Sequence, residues 1–151
     1  EIEESYVPYV VETSIGLDRM FLTVLSHSFR EEKLENGESR VVLKIPAVLA
    51  PLKAAILPLT KKDEMPEKAR EIMKSLQIDF NCQYEEKDSI GKRYRRQDAI
   101  GTPYCITVDH QTLEDNTVTL RDRDTMEQER VAVEKLHSII AKKVNIAKYL
   151  A

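Results

Sequence analysis

Residues 54–85 read AAILPLTKKDEMPEKAREIMKSLQIDFNCQYE, and the hydrophobic period changes twice along them. The apolar run at 54–59, bounded by Pro51 and Pro58, is too short for a helix and suits a buried strand. Met65, Ala69, Ile72, Met73 and Leu76 then mark one face of a helix. Asp63 is placed to cap it, and Pro66 is tolerated in its first turn. Residues 80–85 return to a strand pattern.

The alternation continues on both sides. Residues 40–45 look extended and Pro46 closes them, while 89–100 form a short polar helix candidate ended by Gly101. Residues 104–108 alternate after a turn at Thr102-Pro103, and 117–120 alternate again, with a connection short enough for a hairpin. Thr125-x-x-Gln128 has the form of a capping box opening a last helix, whose face is Val133, Leu136, Ile140 and Val144. The expected fold is a three-layer α/β domain with a mixed, about five-stranded sheet flanked by helices.

A smaller unit precedes it. Residues 6–11 are aromatic and β-branched with Pro8 among them, which predicts a strand. From Ser14 onward Leu17, Met20, Phe21, Val24 and Leu25 follow helical spacing, so Glu12 and Ser14 fall at a strand-to-helix junction. The acidic, Asn-Gly-containing stretch 30–39 has no periodicity and reads as an exposed linker, dividing the chain into 1–39 and 40–151. The net charge of −3 conceals this division: the first unit carries −6 and the second +3. A basic second unit fits a polyanionic partner.

Composition removes several classes. With 42% apolar and 32% charged residues over 151 positions, the chain fits a globular protein, and no stretch reaches the ~18 apolar residues of a membrane span. Four glycines cannot be arranged into a Walker loop or a GxGxxG turn. Cys82 and Cys105 form no CxxC pair and stand apart from His27, His110 and His137, so no metal site is expected and the thiols read as buried ones in a reducing compartment. No Ser/His/Asp or Cys/His arrangement suggests nucleophilic catalysis. Glu1 in place of an initiator methionine reads as an internal start, so a fragment is expected.

Three constellations carry candidate chemistry. Glu12, Ser14, Asp18 and Arg19 surround the start of the first helix, whose free amides favour an anion, although the plainer reading is capping by Ser14 and a surface pair of Arg19 with Asp18 or Glu12. Residues 87–98 hold Lys87, Lys92, Arg93, Arg95 and Arg96 around Tyr94. Basic groups with an aromatic ring suit single-stranded RNA, and Gln97 or Asp98 could read exposed base edges; a solvated helix face is the plainer reading. Arg121, Asp122, Arg123 and Asp124 alternate at a strand end, with the arginines on one side, for base recognition or a structural ion-pair network.

These residues resemble a known family. VVETSIGLDR at 10–19 is similar to motif 3 of class II aminoacyl-tRNA synthetases in the form used by glycyl-tRNA synthetases. PAVLAPLK at 46–53, ILPL at 56–59, YRRQDAIGTPY at 94–104 and VTLRDR at 118–123 resemble the anticodon-binding domain of the same enzymes. Asp18 departs from the commoner glutamate or glycine before the motif 3 arginine. The resemblance implies that 1–39 is the end of a catalytic domain, a strand and helix followed by linker, and 40–151 the anticodon-binding domain. It implies ATP-phosphate contact by Arg19, glycine-ammonium contact by Glu12 and Ser14, and close packing by Gly16. For tRNA(Gly) it suggests anticodon contacts by Arg95, Arg96, Asp98, Arg121 and Arg123. ATP with Mg2+ and glycine would be used by the whole enzyme, a cytoplasmic homodimer without membrane attachment. Motifs 1 and 2 have no counterpart here, so the piece alone should not ligate. A non-catalytic accessory module for RNA binding or dimerisation is the alternative, but it has no need for a Glu-x-Ser and arginine set; a ligand-binding α/β domain without RNA comes third.

Overall fold

The computed structural model describes residues 3, 5–34, 37–62 and 64–150. Five strands form one sheet in the order β4 (Cys82–Tyr84), β3 (Ala54–Pro58), β5 (Tyr104–Val108), β6 (Thr117–Asp122), β7 (Gln128–Ala132). β3 runs parallel to β4 and β5, and β6 is antiparallel to both β5 and β7, so the sheet is mixed.

Alternation along the strands divides the core into two layers. Ala54, Ile56, Ile106, Val118 and Leu120 face α2 (Met65–Leu76) and α5 (Leu136–Val144), meeting Met65, Ala69, Ile72, Leu136 and Ile140. Ala55, Leu57 and Cys105 face the opposite way, toward Ile90 and Tyr94 of α3 (Ile90–Ile100). Gly101 ends α3 at φ +83°, the left-handed conformation that glycine adopts without strain.

Ahead of the sheet, α1 (Leu17–Ser28) leads into an antiparallel hairpin of β1 (Phe29–Lys33) and β2 (Ser39–Leu43). Segment 30–39 is therefore not a bare linker: Arg30 to Lys33 pair with Ser39 to Val42, and the expected boundary between 39 and 40 falls inside β2. The strand pattern at 6–11 forms no strand. Tyr6, Val7, Tyr9, Val10 and Val11 are exposed, and no strand among the described residues pairs with them. Period and propensity favour a strand only where a sheet edge receives it. Gly16, not Ser14, is the N-cap of α1, and it makes no side-chain cap bond. The Asp63 cap lies outside the described residues.

Downstream, β5 and β6 pair antiparallel as the short connection suggests, and one expectation is corrected. Between β5 and β6 the chain makes α4 (His110–Asp115), a short helix closed by reciprocal Asp109 and Thr112 bonds. The Thr125-x-x-Gln128 box opens no helix. Gln128 starts β7 because 128–132 completes the ladder on β6, and α5 begins at Leu136 after a 3-10 turn at Val133–Lys135. The sheet thus reaches five strands with β7, while residues 39–43 stand in the hairpin.

Candidate nucleic-acid interface

Beside α3 the sheet leaves an open cleft of about 650 Å³ above β6 and β7. Its floor is Arg121 and Gln128, directly paired across the two strands. Gly91, Lys92, Tyr94, Arg95 and Arg96 of α3 form one wall, and Met126 and Glu38 complete the lining. Gly91 faces open space, since a β-carbon there would meet nothing within 4 Å.

Beneath the cleft lies a buried ion cluster. Arg121 donates two parallel hydrogen bonds to Asp98, 2.8 and 3.0 Å long. Arg40 of β2 donates to the same carboxylate at 3.1 Å, and Arg95 approaches it at 3.6 Å. The side chains of Asp98 and Arg40 are wholly buried, and Arg121 is 4% exposed. A carboxylate so placed is sustained only by full pairing, which three guanidinium groups supply. Arg40 also binds Glu32 at 2.8 Å, and Lys44 pairs with Glu32, so the cluster ties the hairpin to α3 and β6. The Arg121 guanidinium lies 4.8 Å from the centroid of the Tyr94 ring. Tyr94 Oη and Thr107 Oγ1 lie 2.7 Å apart, and burial pushes the phenol pKa up, so the ring stays neutral. Burial is the largest single influence and opposes the Arg121 charge, but the hydrogen bonds to Asp98 and the attraction of its charge together outweigh it and raise the pKa.

The RNA residues expected from sequence divide by environment. Arg95 is 39% exposed and faces the cleft. Arg96 is equally open but committed: it binds Glu85, Asp88 at 2.9 Å and the Lys87 carbonyl at 2.7 Å. Asp98 lies below the surface, and Arg123 is buried between the Gly101 carbonyl at 2.8 Å and Asp124. Arg121 and Arg123 do share a side, as alternation requires; Asp122 turns the other way to Lys143 at 2.8 Å, whereas Asp124 folds back onto Arg123. Arg93 and Gln97 are scaffold. Arg93 donates to the Pro58 and Glu85 carbonyls, and Gln97 joins Gln83, Glu85 and Thr102.

Glu12, Ser14 and Arg19 are exposed around the start of α1, with no side-chain hydrogen bond or ion pair to another described residue. Sequence reasoning passed over Gln128, Met126 and Arg40. The signal for Arg40 was present, since alternation with Val42 puts both on the inner face, where a lone cation demands a carboxylate. Among the described residues no cluster of His, Cys, Asp and Glu could hold a metal ion, and no helix is long and apolar enough to cross a membrane.

A mixed sheet with helices on both faces and a basic, aromatic-walled cleft at one edge defines an α/β domain with a surface suited to a polyanion. Residues 53–143 match the Anticodon binding domain family, and the chain belongs to it. Curated relatives are glycine–tRNA ligases. That of Clostridium tetani is 53% identical over 144 residues, covering 95% of this chain and 31% of its own length. That of Chlorobaculum tepidum is 54% identical over 141 residues, covering 93% and 30%, and one from Borreliella burgdorferi is 51% identical over 138, covering 91% and 31%. The chain spans about 30% of the relatives it matches. Among solved structures, the RNA binding domain of threonyl-tRNA synthetase from Cryptosporidium parvum superposes with a TM-score of 0.60 at 24% identity, over 66% of this chain and 25% of that one. That likeness is one of fold.

Proposed function

We propose that this chain supplies anticodon binding to a glycine–tRNA ligase, and that the cleft between α3 and the β6–β7 edge receives the anticodon loop of tRNA(Gly). The cleft itself carries the reading: Lys92, Arg95 and Arg121 line it together with Tyr94 in a chain of the anticodon-binding family. Exposed guanidinium and ammonium groups neutralise loop phosphates, and unpaired bases present edges that a guanidinium fork or an amide such as Gln128 can bond. Of the residues nominated from sequence, Arg95 then reaches RNA from the wall, Arg121 presents from the floor only the small part of its guanidinium that the Asp98 pair leaves uncovered, and Arg96 stands at the rim. Asp98 and Arg123 support them from below.

The rest of the reading concerns the whole enzyme. ATP, with Mg2+, and glycine are its substrates, joined as glycyl-adenylate with release of pyrophosphate before transfer to tRNA. Arg19 would draw on the charge of the ATP phosphates, while Glu12 and Ser14 would hold the glycine ammonium. The division is that of the sequence, 1–39 catalytic and 40–151 anticodon-binding, with the hairpin straddling it. The parent enzyme is a cytoplasmic homodimer. The 151 residues alone bind tRNA without forming adenylate.

The test is binding of the chain to tRNA(Gly) and to a variant with both anticodon cytosines replaced, across a salt series, with Arg95→Ala alongside. The expected result is tighter binding of the natural tRNA, weakened by salt and by the substitution. Equal binding of both tRNAs overturns the cleft as an anticodon reader.

A further inference from the structure

We infer that Asp98 is the positioning residue of this cleft: its buried carboxylate fixes the plane of the Arg121 guanidinium, and discrimination between anticodon bases depends on it. The inference rests on the reading of the cleft as an RNA site. Three observations carry it. Both oxygens of Asp98 are engaged by Arg121 in a fork-to-fork pair, which fixes a plane where a single contact would fix only a distance. The Tyr94 ring, 4.8 Å from the guanidinium centre, is itself anchored through Thr107. Arg40, wholly buried, holds Asp98 from the hairpin side and also donates to the Arg123 carbonyl at 3.1 Å. The cleft floor is thus assembled from the hairpin, α3 and β6 through one carboxylate, which never reaches the RNA.

Charge and geometry act on different readouts of the same substitution. Asp98→Asn removes an anion from beneath a basic cleft, so a site working by charge alone would bind any RNA more tightly. A site working by placement loses the orientation of Arg121 and with it the preference among bases.

The experiment compares a stem-loop RNA carrying the tRNA(Gly) anticodon with a twin whose two anticodon cytosines are adenines. Both are titrated against the wild-type chain and Asp98→Asn by fluorescence anisotropy, with cooperative unfolding checked by circular dichroism. The expected result is a fall of about tenfold in the ratio of affinities, with affinity for the altered loop unchanged or higher. Where D98N does not fold, Asp98→Asn with Arg40→Met, which removes the second buried cation together with the anion, carries the same expectation. Arg121→Lys, which keeps the charge and loses the fork, should reproduce the loss. A wild-type ratio preserved in a folded Asp98 variant overturns the positioning role and leaves the cleft reading intact. A wild-type chain that does not distinguish the two loops overturns both.

Discussion

A β-carbon on Gly101 would lie 2.8 Å from Cγ2 of Ile45, closer than two carbons approach without one moving. Gly101 also has φ +83°, and the Leu43 carbonyl oxygen would be 3.0 Å from that same β-carbon. The residue that ends α3 is thus the one on which the hairpin end rests. Gly101→Ala combines left-handed strain with crowding and should cost about 2–4 kcal/mol. Urea unfolding measures it, and a loss near zero would show that the hairpin shifts freely on α3.

Acid should weaken the β5–β7 region through Asp109. Hydrogen bonds from Arg130, one of 2.9 Å, hold its carboxyl below the ordinary 3.8. A carboxylate depressed in the folded state stabilises fully above the unfolded value, about 4, and loses that contribution as pH falls through the lowered folded value. Asp109→Asn keeps an N-cap oxygen for α4, so the change isolates the charge. Thermal midpoints of the variant should lie below wild type at pH 7 and converge with it as pH falls through the lowered folded value. Parallel profiles over the whole range would remove Asp109 from the acid limb.

The thiols should be inert. Burial pushes Cys105 up to about 12 and Cys82 up to about 11, and Cys105 is 1% exposed. Since the thiolate is the nucleophile, iodoacetamide at pH 8 should modify either at least ~100-fold more slowly than a free thiol, Cys105 only as the chain opens. Mass spectrometry over time reads both sites. Fast labelling of Cys105 would mean that the α3 face of the sheet opens without global unfolding.

How far the sequence could be read depended on what each signal measures. The periods at 54–58 and 65–76 report burial against a sheet and along a helix face, and both elements form where expected. The capping box at Thr125 is a local signal, and it lost to a nonlocal one: the unpaired edge of β6, which draws Gln128–Ala132 into the ladder. Residues 6–11 show the converse, strand propensity without a partner strand among the described residues. For the site, charge density along 87–98 found the cleft wall, because α3 displays it on one helix. Composition could not separate Arg95 from Arg93 or Asp98. Those differ only in depth, which depends on β3, β4 and β6 arriving from elsewhere in the chain.

Arg95 and Arg96 offer a direct comparison, being adjacent, alike in charge and similarly exposed. Arg96 is held by Glu85, by Asp88 and by the Lys87 carbonyl; the Glu85 hydrogen bond leads the causes that raise its pKa. Reaching RNA would require it to give up those bonds and leave two carboxylates facing the phosphates. Among the described residues Arg95 has only Asp98 at 3.6 Å, a carboxylate already satisfied by Arg121 and Arg40, so its guanidinium can turn outward without leaving an orphaned anion. Arg95→Ala should therefore weaken tRNA(Gly) binding by about tenfold and lower the slope of log affinity against log salt by about one. Arg96→Ala should change affinity by no more than about twofold, while loosening the 85–89 loop that its bonds restrain. Titrations between 50 and 300 mM salt separate the two. Equal losses and equal slopes would mean that Arg96 abandons its carboxylates on binding and that the loop before α3 moves with the RNA.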